Sequence, residues 1–192
     1  MVERLKKQIQ FIVEIDRIKS IFRKTRLFHD PRKENDAEHS WHLAMMAVVL
    51  LEHSNKSIDL LKVIKMVLIH DIVEIDTGDQ IVYRKDPAKA FVEEKAAAER
   101  IFGILPQDQR DEFIGLWLEF EGKNTPESKF AAAIDRLEPV MQNCMNEALA
   151  WREHDVKLDQ ILKANKHIGE GSEILWEYAQ DIIGECVEKG WV

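Results

Sequence analysis

Along this chain apolar residues recur at intervals of three and four almost everywhere, and sustained alternation of apolar with polar positions is nearly absent. That is the pattern of helices packed by one face, and it predicts an all-α protein. A first helix is expected from about Glu3 to Phe22, with Leu5, Ile9, Ile12, Val13, Ile15 and Ile18 on one side. The basic segment RKTRLFHDPRKEND interrupts it, and Asp30-Pro31 stops any helix there. A second helix starts at Asn35 or Asp36, both good N-caps, ahead of HLAMMAVVLL. A third, from about Ile58 to Ile75, is apolar on most sides and is expected to be central, ending at DTGD with Gly78 in a left-handed position.

Residues 80–86 read as a polar loop, after which Pro87 opens an amphipathic helix through AKAFVEEKAAAERIFGIL. QRDEFIGLWLEFEGK forms another, and Thr125-Pro126-Glu127 starts a long one reaching about Trp151. Two more are expected near 157–168 and 172–188. No internal repeat, linker or low-complexity segment divides the chain, so residues 1–192 are expected to form a single compact helical domain.

Charge and composition narrow the partners. With 35 acidic against 27 basic residues and a net charge of −8, the chain is not built to coat nucleic acid or an anionic membrane. Its two cysteines, Cys144 and Cys186, do not make a disulfide framework, which points to a reducing, cytoplasmic setting. The N-terminal stretch has charges every few residues and no apolar signal core. The longest apolar runs, LAMMAVVLL and MVLI, fall well short of the roughly 20 residues that span a bilayer.

One stretch does not fit simple burial. VLIHDIVEID places His70, Asp71 and Glu74 in an otherwise apolar helix, where Glu74 follows the other two by one turn. Unpaired charge costs several kcal/mol in such a place, so compensating positive charge is expected. A divalent cation accepts both imidazole nitrogen and carboxylate oxygen, but two ligands bind it poorly. His39 in DAEHSWH and Asp135 in AAAIDRLEP are polar residues at interior-looking positions of two other helices. A buried His70–Asp71 ion pair is the plainer reading, and it leaves Glu74 and Asp135 without evident partners. Pro139 has no N–H to offer the carbonyl of Asp135, so the last long helix should kink there.

The ordered set AEHS, HDIVEIDTGD and AIDRLEP resembles the HD-domain metal-dependent phosphohydrolases, and most closely their 5′-deoxynucleotidase-like branch, over about residues 5–160. The resemblance implies that His39, His70, Asp71 and Asp135 hold one divalent metal ion, with Mn²⁺, Co²⁺, Fe²⁺, Ni²⁺ and Zn²⁺ all compatible with the mixed N/O set. It implies a 5′-nucleotidase that releases phosphate from (deoxy)nucleoside 5′-monophosphates by attack of metal-bound water, with Glu74 and Asp79 as catalytic residues. It also implies a homodimer. Phosphate needs further cations, and Arg23 and Arg26 are the candidates because guanidinium grips phosphate oxygens bidentately. Members of that branch carry a Trp beside the arginine, whose ring helps exclude a 2′-hydroxyl, whereas this chain reads FRKTRLF. A phosphodiesterase or nucleoside polyphosphate hydrolase on the same metal, and a non-catalytic nucleotide sensor, are the alternatives. His42, His53, His154 and His167, with Trp41, Trp117, Trp151 and Trp176, are read as structural or surface residues.

Overall fold

The structure, a computed structural model, describes residues 2–79 and 87–192. Helices α1 (Val2–Ile15), α2 (Asp36–Val49), α3 (Leu60–Ile69), α4 (Glu74–Thr77), α5 (Pro87–Phe102), α6 (Gln107–Gly122), α7 (Pro126–Met145), α8 (Leu149–Glu153), α9 (Leu158–Asn165), α10 (Ile168–Gly171) and α11 (Glu173–Glu188) account for most of the described chain. The compact helical fold expected from the periodicity is present. The polar loop expected over residues 80–86 lies outside the described residues.

The first departure is a small antiparallel hairpin, β1 (Phe22–Arg26) with β2 (Lys33–Asn35), in the segment expected to be irregular. Two strands this short give no readable period in sequence. The hairpin is stabilised by tertiary packing, since β1 lies against α7 and α8 with Thr25 buried. The first helix is correspondingly shorter than expected. α1 gives way to a 3-10 turn over Asp16–Ser20, and Phe22 already belongs to β1.

Helix α3 is central as expected, packed against α2, α6 and α7, and α7 reaches still more of the fold. Helix α7 packs against α2, α3, α6, α10, α11 and β1, and its run Phe130, Ala131, Ala132, Ala133, Ile134 is buried throughout. Three small alanines let neighbours approach from several sides, which an apolar but bulky α3 cannot match. Helix α3 leaves Leu61 and Leu68 exposed. The face of α1 read as apolar is also largely uncovered: Leu5, Ile9, Ile12 and Val13 face solvent, while Phe11 and Ile18 enter the core. At the other end of the core, a Cβ on Gly171 would sit 2.3 Å from the Lys129 carbonyl oxygen, so only glycine lets α10 lie this close to α7.

Helix α7 stops at Met145 instead of continuing to Trp151. Glu147 and Ala148 follow with φ of 54° and 55°, left-handed conformations that end a helix and start α8 in a new direction. Most of the segment expected as a helix over 157–168 is α9, and the short α10 begins at its last residue. Helix α2 begins as expected, with Asn35 capping it and Glu38 closing a reciprocal capping box.

Candidate metal centre

The third helix changes pitch where its charged residues begin. α3 ends at Ile69, residues His70–Val73 form a 3-10 turn, and α4 resumes at Glu74. Sequence reasoning expected one continuous helix to Ile75, and the tighter turn has a local cause. The His70 ring takes the Val67 carbonyl itself, with Nδ1 3.0 Å from that oxygen. A carbonyl only accepts, so Nδ1 is the protonated nitrogen and Nε2 of a neutral ring keeps its lone pair free for the interior. Gly78 then ends α4 with φ 69° and ψ 157°, which has the positive φ expected but an extended ψ.

Four donor atoms from three segments converge at this turn. Asp135 Oδ1 on α7 lies 3.2 Å from His39 Nε2 on α2 and 3.5 Å from His70 Nε2, while Asp71 Oδ2 lies 3.1 Å from His70 Nε2 and 3.8 Å from His39 Nε2. His39, His70 and Asp135 form the tightest group, their donor atoms all within 4.8 Å of one another. Asp71 sits at its edge, drawn toward Arg23, whose Nη1 is 2.9 Å from Asp71 Oδ2. Separations near 3 Å suit atoms each bound roughly 2.1 Å from a shared cation.

Electrostatics supply the fit test for a metal. Burial opposes an imidazolium at His70, yet Asp71 and Asp135 outweigh it and hold that ring at about 9. Burial and Arg23 likewise oppose the charged His39 ring, and the hydrogen bond to Asp135 with the nearby carboxylates of Glu138 and Glu34 raises it well above the usual value all the same. With only the protein's own charges in place, the carboxylates pull protons onto both imidazoles. A divalent cation satisfies the same carboxylates while leaving both rings neutral as ligands. His70 Nε2 is buried without a hydrogen-bond partner, consistent with an atom meant for such a ligand. The residues present therefore fit a divalent metal.

Behind these donors lies a layer that the sequence did not reveal. Glu138, fully buried one turn beyond Asp135, places Oε2 3.3 Å from His39 Nδ1 and Oε1 3.4 Å from His42 Nδ1. Burial alone would raise its carboxyl, but the two imidazoles bring it down to about 2. Ligand histidines are commonly oriented by a carboxylate on the second nitrogen, and Glu138 occupies that place for His39. Glu34 and Asp36, flanking the start of α2, are also buried, at 3.8 Å and 3.6 Å from the Arg23 guanidinium. The only signal available in sequence was the E-P step after Asp135 and two acids beside an N-cap, neither distinguishable from surface charge.

Glu74 is held differently. Burial first, then the charges of Asp71, Asp36 and Asp79, push its carboxyl well above the ordinary range. Asp36 is pushed up to about 7, by burial and then by the charge of Asp71. Burial and like charge thus bias both carboxyls toward their protonated forms beside the donor cluster. Asp79 pairs with Lys24, Nζ to Oδ2 3.3 Å.

Two cavities meet here. The polar one, with an empty volume of about 710 Å³, is bounded by His70, Asp71, Glu74 and Asp135. The other, about 630 Å³, runs past Pro139 and Val140 to Trp151. Arg23, Asp79 and Arg136 line both. Arg26, by contrast, turns away to a bidentate pair with Glu153 at 3.0 and 3.2 Å and lines neither. The cation brought in its place is Arg136, which follows Asp135 directly in the chain.

Comparison with known proteins agrees with this geometry. The HD domain family matches residues 15–176. The 5′-deoxynucleotidase HDDC2 of Xenopus laevis is 30% identical over 151 residues, covering 77% of this chain and 73% of that protein. Its Bos taurus counterpart is 28% identical over 137 residues, 70% of this chain, and the match spans 65% of the bovine protein's length. Among solved structures, one described as "Predicted metal-dependent phosphohydrolase" from Magnetospirillum magnetotacticum MS-1 superposes with a TM-score of 0.94 at 42% identity, covering 99% of this chain and 96% of that one. The PH0347 protein of Pyrococcus horikoshii OT3, at 23% identity and a TM-score of 0.64 over 93% and 97% of the two chains, shares the fold. With the family match extending from the end of α1 into α11 and the donor set drawn from three of its elements, this chain belongs to the HD domain family.

Proposed function

We propose that the chain is a metal-dependent phosphomonoesterase that releases phosphate from nucleoside 5′-monophosphates, the deoxy forms among them. The observation that carries this reading is the convergence of His39, His70, Asp71 and Asp135 on one point, with Arg23 beside it and the buried carboxyl of Asp36 nearby. The similarity to proteins named 5′-deoxynucleotidase and metal-dependent phosphohydrolase supports the substrate class.

His39, His70, Asp71 and Asp135 would hold one divalent ion of the Mn²⁺, Co²⁺, Fe²⁺, Ni²⁺ or Zn²⁺ group, which would supply Lewis acidity toward a phosphoryl oxygen and lower the pKa of a water toward neutral pH. The chain's own groups do the rest. Arg23 leaves its Asp71 contact to grip phosphate oxygens, and Arg136, which lines the same cavity, neutralises charge. Glu74 exchanges a proton with the attacking water or the departing 5′-oxygen, its carboxyl being poised for that by burial. Asp79, fixed by Lys24, orients the water. Glu138 holds the His39 ring in place through Nδ1.

No described helix is long and apolar enough to cross a membrane, and the reading places this enzyme in the cytoplasm as one domain acting on a small nucleotide, not on a nucleic-acid polymer. Exposed Leu5, Ile9 and Ile12 on α1 and Trp41, Met45 and Val48 on α2 favour a homodimer. Sedimentation as a monomer at micromolar concentration would remove the dimer from this reading.

The deciding experiment is phosphate release from ribo- and deoxyribonucleoside 5′-monophosphates by protein stripped of metal and reloaded with each divalent ion. Metal-dependent release is the expected result. No release with any ion would overturn the reading, and preferential cleavage of a cyclic or triphosphate substrate would replace it with the diesterase or polyphosphate alternative.

A further inference from the structure

The chemistry above gives no task to the second cavity beyond the wall it shares with the donor cluster. Three features of its far side point to a ligand. Trp151 forms part of the lining together with Val140 and Val156, and it follows the left-handed pair Glu147–Ala148, which redirects the chain from α7 into α8. Two consecutive non-glycine residues in that region are strained, and such strain collects where a side chain must be placed for function. The Trp151 backbone N–H is then pinned by Asn143 Oδ1 at 3.2 Å.

Asn165 is the second feature. It lines the same cavity, is only 3% exposed, and donates from Nδ2 to the Ile161 carbonyl at 2.8 Å. Because that carbonyl can only accept, the amide orientation is fixed and Oδ1 is the atom left over. Among the described residues no group donates to it. The third feature is the shared wall, where Arg23 and Arg136 separate an apolar chamber from the donor cluster. A ligand spanning both has an anionic end and, at the other, a flat apolar body carrying an N–H donor.

We infer that this chamber is a nucleobase subsite, in which the heterocycle lies against Trp151 and donates an N–H to Asn165 Oδ1 while the phosphate crosses the Arg23–Arg136 wall to the donor cluster. The inference rests on the phosphomonoesterase reading for the identity of the anionic end. Adenine, cytosine, guanine and thymine all offer an N–H, so the chamber selects for the presence of a base rather than for one base over another. Trp151 and Asn165 are thereby specificity-determining residues contributed by the part of the chain after α7.

The test is saturable binding of 2′-deoxyadenosine, compared with 2-deoxyribose, to the full chain loaded with Mn²⁺ and followed by calorimetry; neither ligand has a phosphate to lose. Deoxyadenosine is expected to bind roughly tenfold or more tightly than the sugar, the scale of one base–aromatic stack. Trp151→Leu and Asn165→Leu should each weaken it by a comparable factor, and Trp151→Phe, which keeps an aromatic face and the packing, should retain most of it. Deoxyadenosine binding no tighter than deoxyribose, or binding unchanged in Asn165→Leu and in Trp151→Phe against Trp151→Leu, would overturn the inference. If Trp151→Leu does not fold, Asn165→Leu alone decides. Base-dependent binding with no phosphate release from deoxyadenosine 5′-monophosphate would sink the hydrolase reading and leave the chamber standing, whereas phosphate release without base-dependent binding would do the reverse.

Discussion

His39 Nδ1 lies 3.3 Å from Glu138 Oε2 in the protein interior, so the imidazole that offers Nε2 to the donor cluster is held from behind by a fully buried carboxylate. The contact places negative charge behind the ring and leaves Nε2 facing the cluster. Glu138→Gln is therefore expected to lower metal affinity roughly 10- to 100-fold without unfolding the chain. Metal content after dialysis against graded chelator, read beside the thermal midpoint, checks it; wild-type affinity in the variant would show that Glu138 does not position His39.

Asp71 and Glu74 stand one turn apart but should separate cleanly in experiment. Asp71→Ala removes a donor, and both bound metal and turnover should be lost. Glu74→Ala should keep its metal and lose about 10²- to 10⁴-fold in kcat, the usual contribution of a positioned proton carrier. Near wild-type turnover in Glu74→Ala would take the proton-transfer role away from this residue.

Arg23 and Arg26 make a second contrast, two arginines on one strand with opposite outcomes. Arg23, 2.9 Å from Asp71, should on replacement by Ala raise KM for a nucleoside monophosphate and depress kcat. Arg26 is engaged by the half-exposed Glu153, an ion pair of a kind worth about 0–1 kcal/mol, so Arg26→Ala should leave kcat/KM within a few-fold. A large loss in Arg26→Ala would mean that its pair with Glu153 opens when substrate binds.

Loading the site should stabilise the fold. A ligand present at 100 times its dissociation constant adds about 2.7 kcal/mol to a native state that alone binds it. The thermal midpoint is expected to rise with Mn²⁺ in the wild type and not in Asp135→Ala. An equal rise in both would place the stabilising ion somewhere other than this cluster.

His167 provides a pH prediction away from the donor cluster. Burial, then Arg136 and Lys123, lower its imidazole to about 4. Between about 4 and the ordinary value near 6.5 the unfolded chain takes up a proton that the folded chain refuses, so stability falls as the pH drops through that window. His167→Gln removes this contribution, and its thermal midpoint should decline less than that of the wild type between pH 7 and pH 4.5. Parallel curves for the two proteins would refute it.

What could be read in advance followed from local physics. Helical periodicity marks the α elements because burying one face of a helix imposes spacing on its own residues. The Asn35 cap was visible because a cap involves neighbours in the chain. His70, Asp71 and Glu74 stood out because charge in an apolar run has few bland explanations. For the apolar face of α1 the pattern stops short: periodicity reports that a face is apolar, not what covers it, and Leu5, Ile9 and Ile12 face solvent in the single chain.

The sequence by itself determined the helical class, the order of the chemically distinctive segments and the resemblance to the HD family, since each depends on residue types at fixed spacing along the chain. Tertiary structure alone decided that α7 is the organising helix, that α3 tightens at His70, that Glu138 stands behind His39, and that Arg23 rather than Arg26 reaches the cluster. It also decided that Trp151 and Asn165 line a chamber beside Arg23. These relationships join residues tens of positions apart, and such partners are chosen by how faces pack and where a hairpin lies, which no local pattern encodes.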